Sequence, residues 1–99
     1  MISTHILDTH LGKPAADVEV KLMDARGQVL ATASTNNDGR VLVPDFGLDI
    51  ISTGDYSIEF ATKAYFDVQG LATFFPKAVI HFSILDAAQH YHIPLLISP

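Results

Sequence analysis

Ninety-nine residues fit one domain, residues 1–99, with a single core of modest size. Apolar residues make up 48% of the chain and charged ones 17%, which excludes a solvated, disordered chain. The formal net charge of -5, with no run of Lys or Arg, argues against nucleic acid or an anionic membrane as partner. The absence of cysteine removes disulfides, thiolate metal sites and thiol nucleophiles.

For so small a protein the apolar excess points to surface reserved for a partner, and a homo-oligomer is expected. No stretch approaches the roughly 20 apolar residues of a bilayer span. The first residues also lack the basic start and long apolar middle of a signal peptide. The expected location is cytoplasmic, or periplasmic if a leader has been removed.

Taken in order, the chain reads as short strands separated by turn residues, the pattern of a β-sandwich. Residues 2 to 8 form the first strand, closed by Gly12-Lys13-Pro14. Asp17 to Met23 alternates polar and apolar residues in period two, predicting one wet and one buried face. Ala25 to Gln28 is a tight turn, and Val29 to Ser34 the returning strand. Asn36-Asn37-Asp38-Gly39 is the strongest turn signal, since Asn, Asp and Gly tolerate positive φ. It delivers Arg40 to the start of a short strand, Val41-Leu42-Val43. Tyr56 to Phe60 alternates again. Thr62 to Gly70 is the one plausible helix, with Thr62 as N-cap and Gly70 as stop. Ala78 to Ile84 is a further strand, and Asp86-Ala87-Ala88 turns into the last one, which runs through His90-Tyr91-His92-Ile93-Pro94.

The first and last strands each carry a histidine at an alternating position, so His5 and His92 can reach one shared surface. Residues three apart on a strand point to opposite faces. Asp8 therefore does not orient His5, and a Ser3-His5-Asp8 triad is not expected. His90 shares the parity of His92 and is read as a rim position, whereas His10 and His81 are read as a turn and a strand residue.

Several motifs in colinear order carry a resemblance. They are Ser3-Thr4-His5-Ile6-Leu7-Asp8-Thr9, Gly12-Lys13-Pro14-Ala15, Thr35 to Arg40, Tyr65-Phe66, Phe75-Pro76 and His90 to Leu96. From Ser3 to Pro99 the chain resembles the 5-hydroxyisourate hydrolases of the transthyretin-like family. The resemblance implies an all-β fold, a transthyretin-like sandwich of two antiparallel sheets with one short helix, assembled as a homotetramer. It implies a metal-independent hydrolase without cofactor, which opens the ring of 5-hydroxyisourate in urate catabolism. It also puts His5, Arg40 and His92 on the catalytic and substrate-binding positions. The residue types suit that chemistry: imidazole exchanges protons near neutral pH, and guanidinium offers a charged planar fork to an oxygen-rich substrate. The resemblance does not say which histidine is base and which acid.

Members of that family continue past the counterpart of Ser98-Pro99 through one further strand ending in Tyr-Arg-Gly-Ser, and this final family strand is missing from the sequence. Because His5, Arg40 and His92 are all retained, a trimmed or unlisted tail is expected rather than a natural loss. Without it, the strand through Leu95, Leu96 and Ile97 would be a sheet edge.

Three rival readings have distinct signatures. His90, His92 and His5 together would make a three-histidine zinc site with an open position, although Arg40 nearby opposes a divalent cation. A transthyretin-type carrier of a small aromatic ligand would use the same scaffold, but with a more apolar channel than His5, His92 and Pro94 provide. An inactive, truncated family member would keep the residues without the turnover.

Overall fold

In the computed structural model, which describes residues 2–42, 46 and 51–99, eight strands and one helix follow in order. They are β1 (Ile2–Asp8), β2 (Lys13–Pro14), β3 (Glu19–Asp24), β4 (Val29–Ser34), β5 (Arg40–Val41), β6 (Gly54–Phe60), α1 (Thr62–Val68), β7 (Ala78–Ile84) and β8 (Tyr91–Ile97). One sheet runs β4-β3-β6-β7, antiparallel throughout. The other is built around β1.

β8 pairs with β1 along its whole length, from Ile2 opposite Tyr91 to Asp8 opposite Ile97, and this pairing is parallel. The antiparallel partners β5 and β2 therefore share the other edge of β1, β5 at Thr4 and His5 and β2 at Leu7 and Asp8. Parallel neighbours need a long connection. Here nearly the whole chain supplies it, which is how the first and last strands come to lie side by side.

Period-two patterning explains which face each strand buries. Val20 and Leu22 of β3, Ile58 and Phe60 of β6, and Ile6 of β1 are fully buried, and Ile2, Ile84 and Ile97 nearly so. Each such aliphatic or aromatic side chain contributes roughly 1.5–3 kcal/mol on burial, so the alternation fixes the register of every strand in the sandwich. The register slips once, between Leu22 and Met23, where β3 and β4 part towards the Asp24 turn. There Asp24 Oδ1 accepts the amides of Arg26 and Gln28 at 2.9 and 3.0 Å.

The helix differs slightly from the expected Thr62 to Gly70. Thr62 is its first residue and is buried, while Ala61 occupies the N-cap without any side-chain cap. Thr62 is thus recruited by packing rather than by capping. The stop at Gly70 is as expected: its φ is +72°, its amide bonds to Asp67 O, and Leu71 N bonds back to Phe66 O, closing a Schellman turn. The short β2, which includes Pro14, falls where the sequence predicts only a turn. The Val43 end of the expected strand Val41-Leu42-Val43 lies outside the described residues.

Candidate active site

The outer face of the β1 sheet is assembled in rows of register partners. Ser3 lies opposite His92, and in the next row His5 lies between Pro94 on β8 and Arg40 on β5. Partners in register project to the same face, so three separated segments of sequence bring His5, Arg40 and His92 to one surface. The opposite face of β1, with Ile2, Thr4, Ile6 and Asp8, points into the core.

The Asn36–Gly39 turn sets Arg40. Asn36 Oδ1 accepts the amides of Asp38 at 2.9 Å and Arg40 at 3.0 Å, and Asn36 N donates to Arg40 O at 2.9 Å. Gly39 has φ +74°, and its carbonyl accepts Ile6 N at 2.7 Å, seating the turn on β1. A Cβ on Gly39 would stand 2.3 Å from Ile6 O. Only glycine combines that conformation with that approach. Behind the turn, the buried Thr35 hydroxyl donates to Ala15 O at 2.7 Å and accepts Val18 N at 2.9 Å.

His92 is exposed, and its Nδ1 lies 2.8 Å from Ser3 Oγ. The same Oγ lies 2.8 Å from His90 Nε2. Ser3 is itself buried, so a single hydroxyl sits between two imidazoles. The turn that precedes His90 is closed by Tyr91 OH, which accepts the amides of Leu85 and Asp86 at 3.1 Å, and by Asp86 Oδ1, which accepts Ala88 N at 3.0 Å. Desolvation, then the neighbouring charges of Arg40, His5 and His90, hold the His92 imidazole below its usual pKa. It is therefore the neutral, proton-accepting form near pH 7.

Asp8 faces away from this surface, as its parity requires. Its carboxylate accepts Tyr65 OH at 2.7 Å and the amides of His10 and Leu11 at 2.9 and 3.0 Å, tying α1 to the β1 sheet. Burial alone would raise its pKa, but the Tyr65 hydroxyl, these amides and the His10 charge together bring it below the usual value. Burial and the Asp8 carboxylate push Tyr65 up to about 12.

His5, Arg40 and His92 share the face expected from the sequence and His90 is exposed beside them, while the Ser3 hydroxyl that joins His90 to His92 is not expected from the sequence. The signal was present: Ser3 has the parity of His5, and His90 that of His92. Among the described residues no three His, Cys, Asp or Glu side chains are grouped to hold a metal ion, so the three-histidine cluster is not assembled. An open cleft of about 720 Å³, lined in part by Leu11, Pro14, Tyr65 and Val68, contains none of the three predicted site residues.

A two-sheet β-sandwich with a polar histidine and arginine surface on its outer face defines a transthyretin-like fold with a candidate hydrolytic site. Residues 2–99 match the HIUase/Transthyretin family, and the chain belongs to it. It is 39% identical to a probable 5-hydroxyisourate hydrolase of Schizosaccharomyces pombe over 99% of this chain and 83% of that protein. It is 41% identical to the 5-hydroxyisourate hydrolase of Salmonella dublin over 99% of this chain and 74% of that one. Among solved structures, the 5-hydroxyisourate hydrolase of Klebsiella pneumoniae superposes with a TM-score of 0.88 at 38% identity, covering 99% of this chain and 89% of that one. Transthyretin of Sparus aurata does so with 0.83 at 31%, covering 99% and 88%.

Proposed function

We propose that the chain is a 5-hydroxyisourate hydrolase, an enzyme of urate catabolism that opens the ring of its substrate by hydrolysis without a metal, with His5, Arg40 and His92 as its catalytic and substrate-binding residues. Relatives of that name, 33–41% identical over nearly the full length of the chain, support the activity. The observation that carries the site is the cluster on one sheet face, with His5 and Arg40 in register and His92 one row away.

In this reading His92, neutral near pH 7, takes a proton from water as its oxygen attacks a substrate carbonyl. Arg40 holds the substrate and the oxyanion that develops on that carbonyl. His5, in the same row as Arg40, orients the water or protonates the leaving nitrogen. The face is open in one chain, with Leu42 and Leu96 exposed at 46% and 66%. Covering such a surface with a second copy would close the site over substrate, and a homotetramer is the assembly proposed.

Ultraviolet decay of freshly generated 5-hydroxyisourate, measured against its spontaneous decay, tests the reading directly. Acceleration that scales with protein concentration is expected. A chain that leaves the decay unchanged while binding thyroxine tightly would be a carrier instead, the reading suggested by the structural neighbour crystallised with thyroxine.

A further inference from the structure

The Ser3 hydroxyl has one proton and two imidazole neighbours, each at 2.8 Å. It can donate to only one of them, so with both rings neutral the other ring must donate to it. That leaves two arrangements. In one, His92 Nδ1–H donates to Ser3 and Ser3 donates to His90 Nε2, which leaves His92 Nε2 bare and basic. In the other, His90 Nε2–H donates to Ser3 and Ser3 donates to His92 Nδ1, which puts the His92 proton on Nε2. Passing two protons along the chain of hydrogen bonds, with one gained at His92 Nε2 and one lost at His90 Nδ1, converts the first into the second.

We propose that Ser3 is a positioning residue that couples the tautomer of His92 to the protonation of His90, forming a proton relay from the reacting face to solvent. This rests on the reading of His92 as the proton acceptor. When His92 Nε2 takes a proton from the attacking water, the ring is an imidazolium with Nδ1–H on Ser3. The Nδ1 proton passes to Ser3 Oγ as the original Ser3 proton passes to His90 Nε2. His92 is left neutral with its proton on Nε2, and as it passes that proton to a leaving nitrogen the reverse shift returns the Ser3 proton to Nδ1 while His90 Nε2–H replaces it on Ser3. His90, which is exposed, carries the charge between the two steps and exchanges its Nδ1 proton with water, taking one back for the reverse shift. Protons and charge balance at each step, and no other reagent is needed.

The surroundings favour this direction of transfer. A charge on His92 faces Arg40 from β5, His5 from β1 and His90 from its own segment, and the ring is partly desolvated. Moving the charge to His90 takes it towards water. The buried serine is also in place to keep the two rings aligned, since its backbone belongs to the central strand of the sheet.

The test combines turnover with imidazole nitrogen NMR of the full chain, using Ser3→Ala, Ser3→Thr, His90→Gln and the Ser3→Ala/His90→Gln double variant. Ser3→Ala and His90→Gln should each lower kcat about tenfold with KM nearly unchanged, less than the ~100-fold or more from removing an acid–base group outright. The double variant should be no slower than either single one, because each breaks the same relay. Ser3→Thr, which keeps the hydroxyl, should restore most of the rate. In the unmodified protein, titrating His90 should shift the His92 nitrogen resonances in step, and Ser3→Ala should abolish that coupling. Wild-type kcat in Ser3→Ala, multiplicative losses in the double variant, or His92 resonances indifferent to Ser3 would each overturn the relay. A wild-type protein without hydrolase activity would instead remove the functional reading, and the NMR titration would still decide the coupling.

Discussion

His92 concentrates most of what a single side chain can reveal here. Its pKa is lowered, so the neutral base persists as pH falls through the usual imidazole range and is lost only below it. The acid limb of kcat/KM should therefore lie below the ordinary imidazole value, and a His92 nitrogen titration should reproduce it. His92→Asn should lower kcat by about 100-fold or more at pH 7.5, with an unchanged far-ultraviolet circular dichroism spectrum, because the side chain is exposed and an acid–base group is lost. Tyr65 and Asp8 show the contrasting case, a half-buried hydroxyl on a buried carboxylate with a structural task. The raised Tyr65 value means that its contribution is complete below the ordinary tyrosine range and declines as pH climbs towards 12. Asp8 has the opposite sign: its contribution is present above the usual carboxylate value and is lost as pH falls through the lowered one. Tyr65→Phe should cost about 1–2 kcal/mol at pH 7 by chemical denaturation, since it removes a hydrogen bond to a charged acceptor at a half-buried position. The variant's stability should also fall off less between pH 10 and 12 than the wild type's.

Two glycines of similar φ distinguish a turn that builds the site from one that only ends a helix. Gly39 and Gly70 have φ values of +74° and +72°, but a Cβ at Gly70 meets nothing within 4 Å. Gly70→Ala should cost about 1 kcal/mol, the conformational penalty alone. Gly39→Ala adds a clash with a backbone carbonyl of β1 that no side chain can relieve, and should cost roughly 2 kcal/mol or more. Because Arg40 follows directly, the same substitution should raise KM or depress kcat while Gly70→Ala leaves turnover near wild type. Denaturant midpoints and steady-state kinetics on the two variants check both halves of this. The helix and the β5 turn were legible in the sequence because Gly and Asn impose local geometry. The two-residue β2 was not, since its pairing with Leu7 and Asp8 is a tertiary event and its proline argues locally for a turn.

At the scale of the whole molecule, the parallel pairing of β1 with β8 joins the two ends of the chain, so the site forms only once the sandwich has closed. Destabilising the core at a distance should therefore reduce activity only as far as it unfolds the protein. The outer face of the same sheet leaves Leu96 66% exposed on β8, opposite Leu7. On the proposed homotetramer with this face covered, Leu96→Asp should lower the native mass measured by light scattering, because a charge placed in an apolar interface is costly to desolvate. Loss of turnover in step with loss of mass would tie the active site to the assembly. A native mass already monomeric in the unsubstituted protein would remove the tetramer.

By itself the sequence determined the sandwich, because alternation commits each strand to one buried face, and it determined the shared parity of Ser3 with His5 and of His90 with His92. It also separated Asp8 from His5 on the same geometric ground. What only the tertiary structure decided is which strands are neighbours. Parity says which way a side chain points but nothing about what stands opposite, and the partners here are up to 89 residues apart in the chain. The pairing of His5 with Arg40, and the single serine proton held between His90 and His92, exist because β1 takes β5 on one edge and β8 on the other.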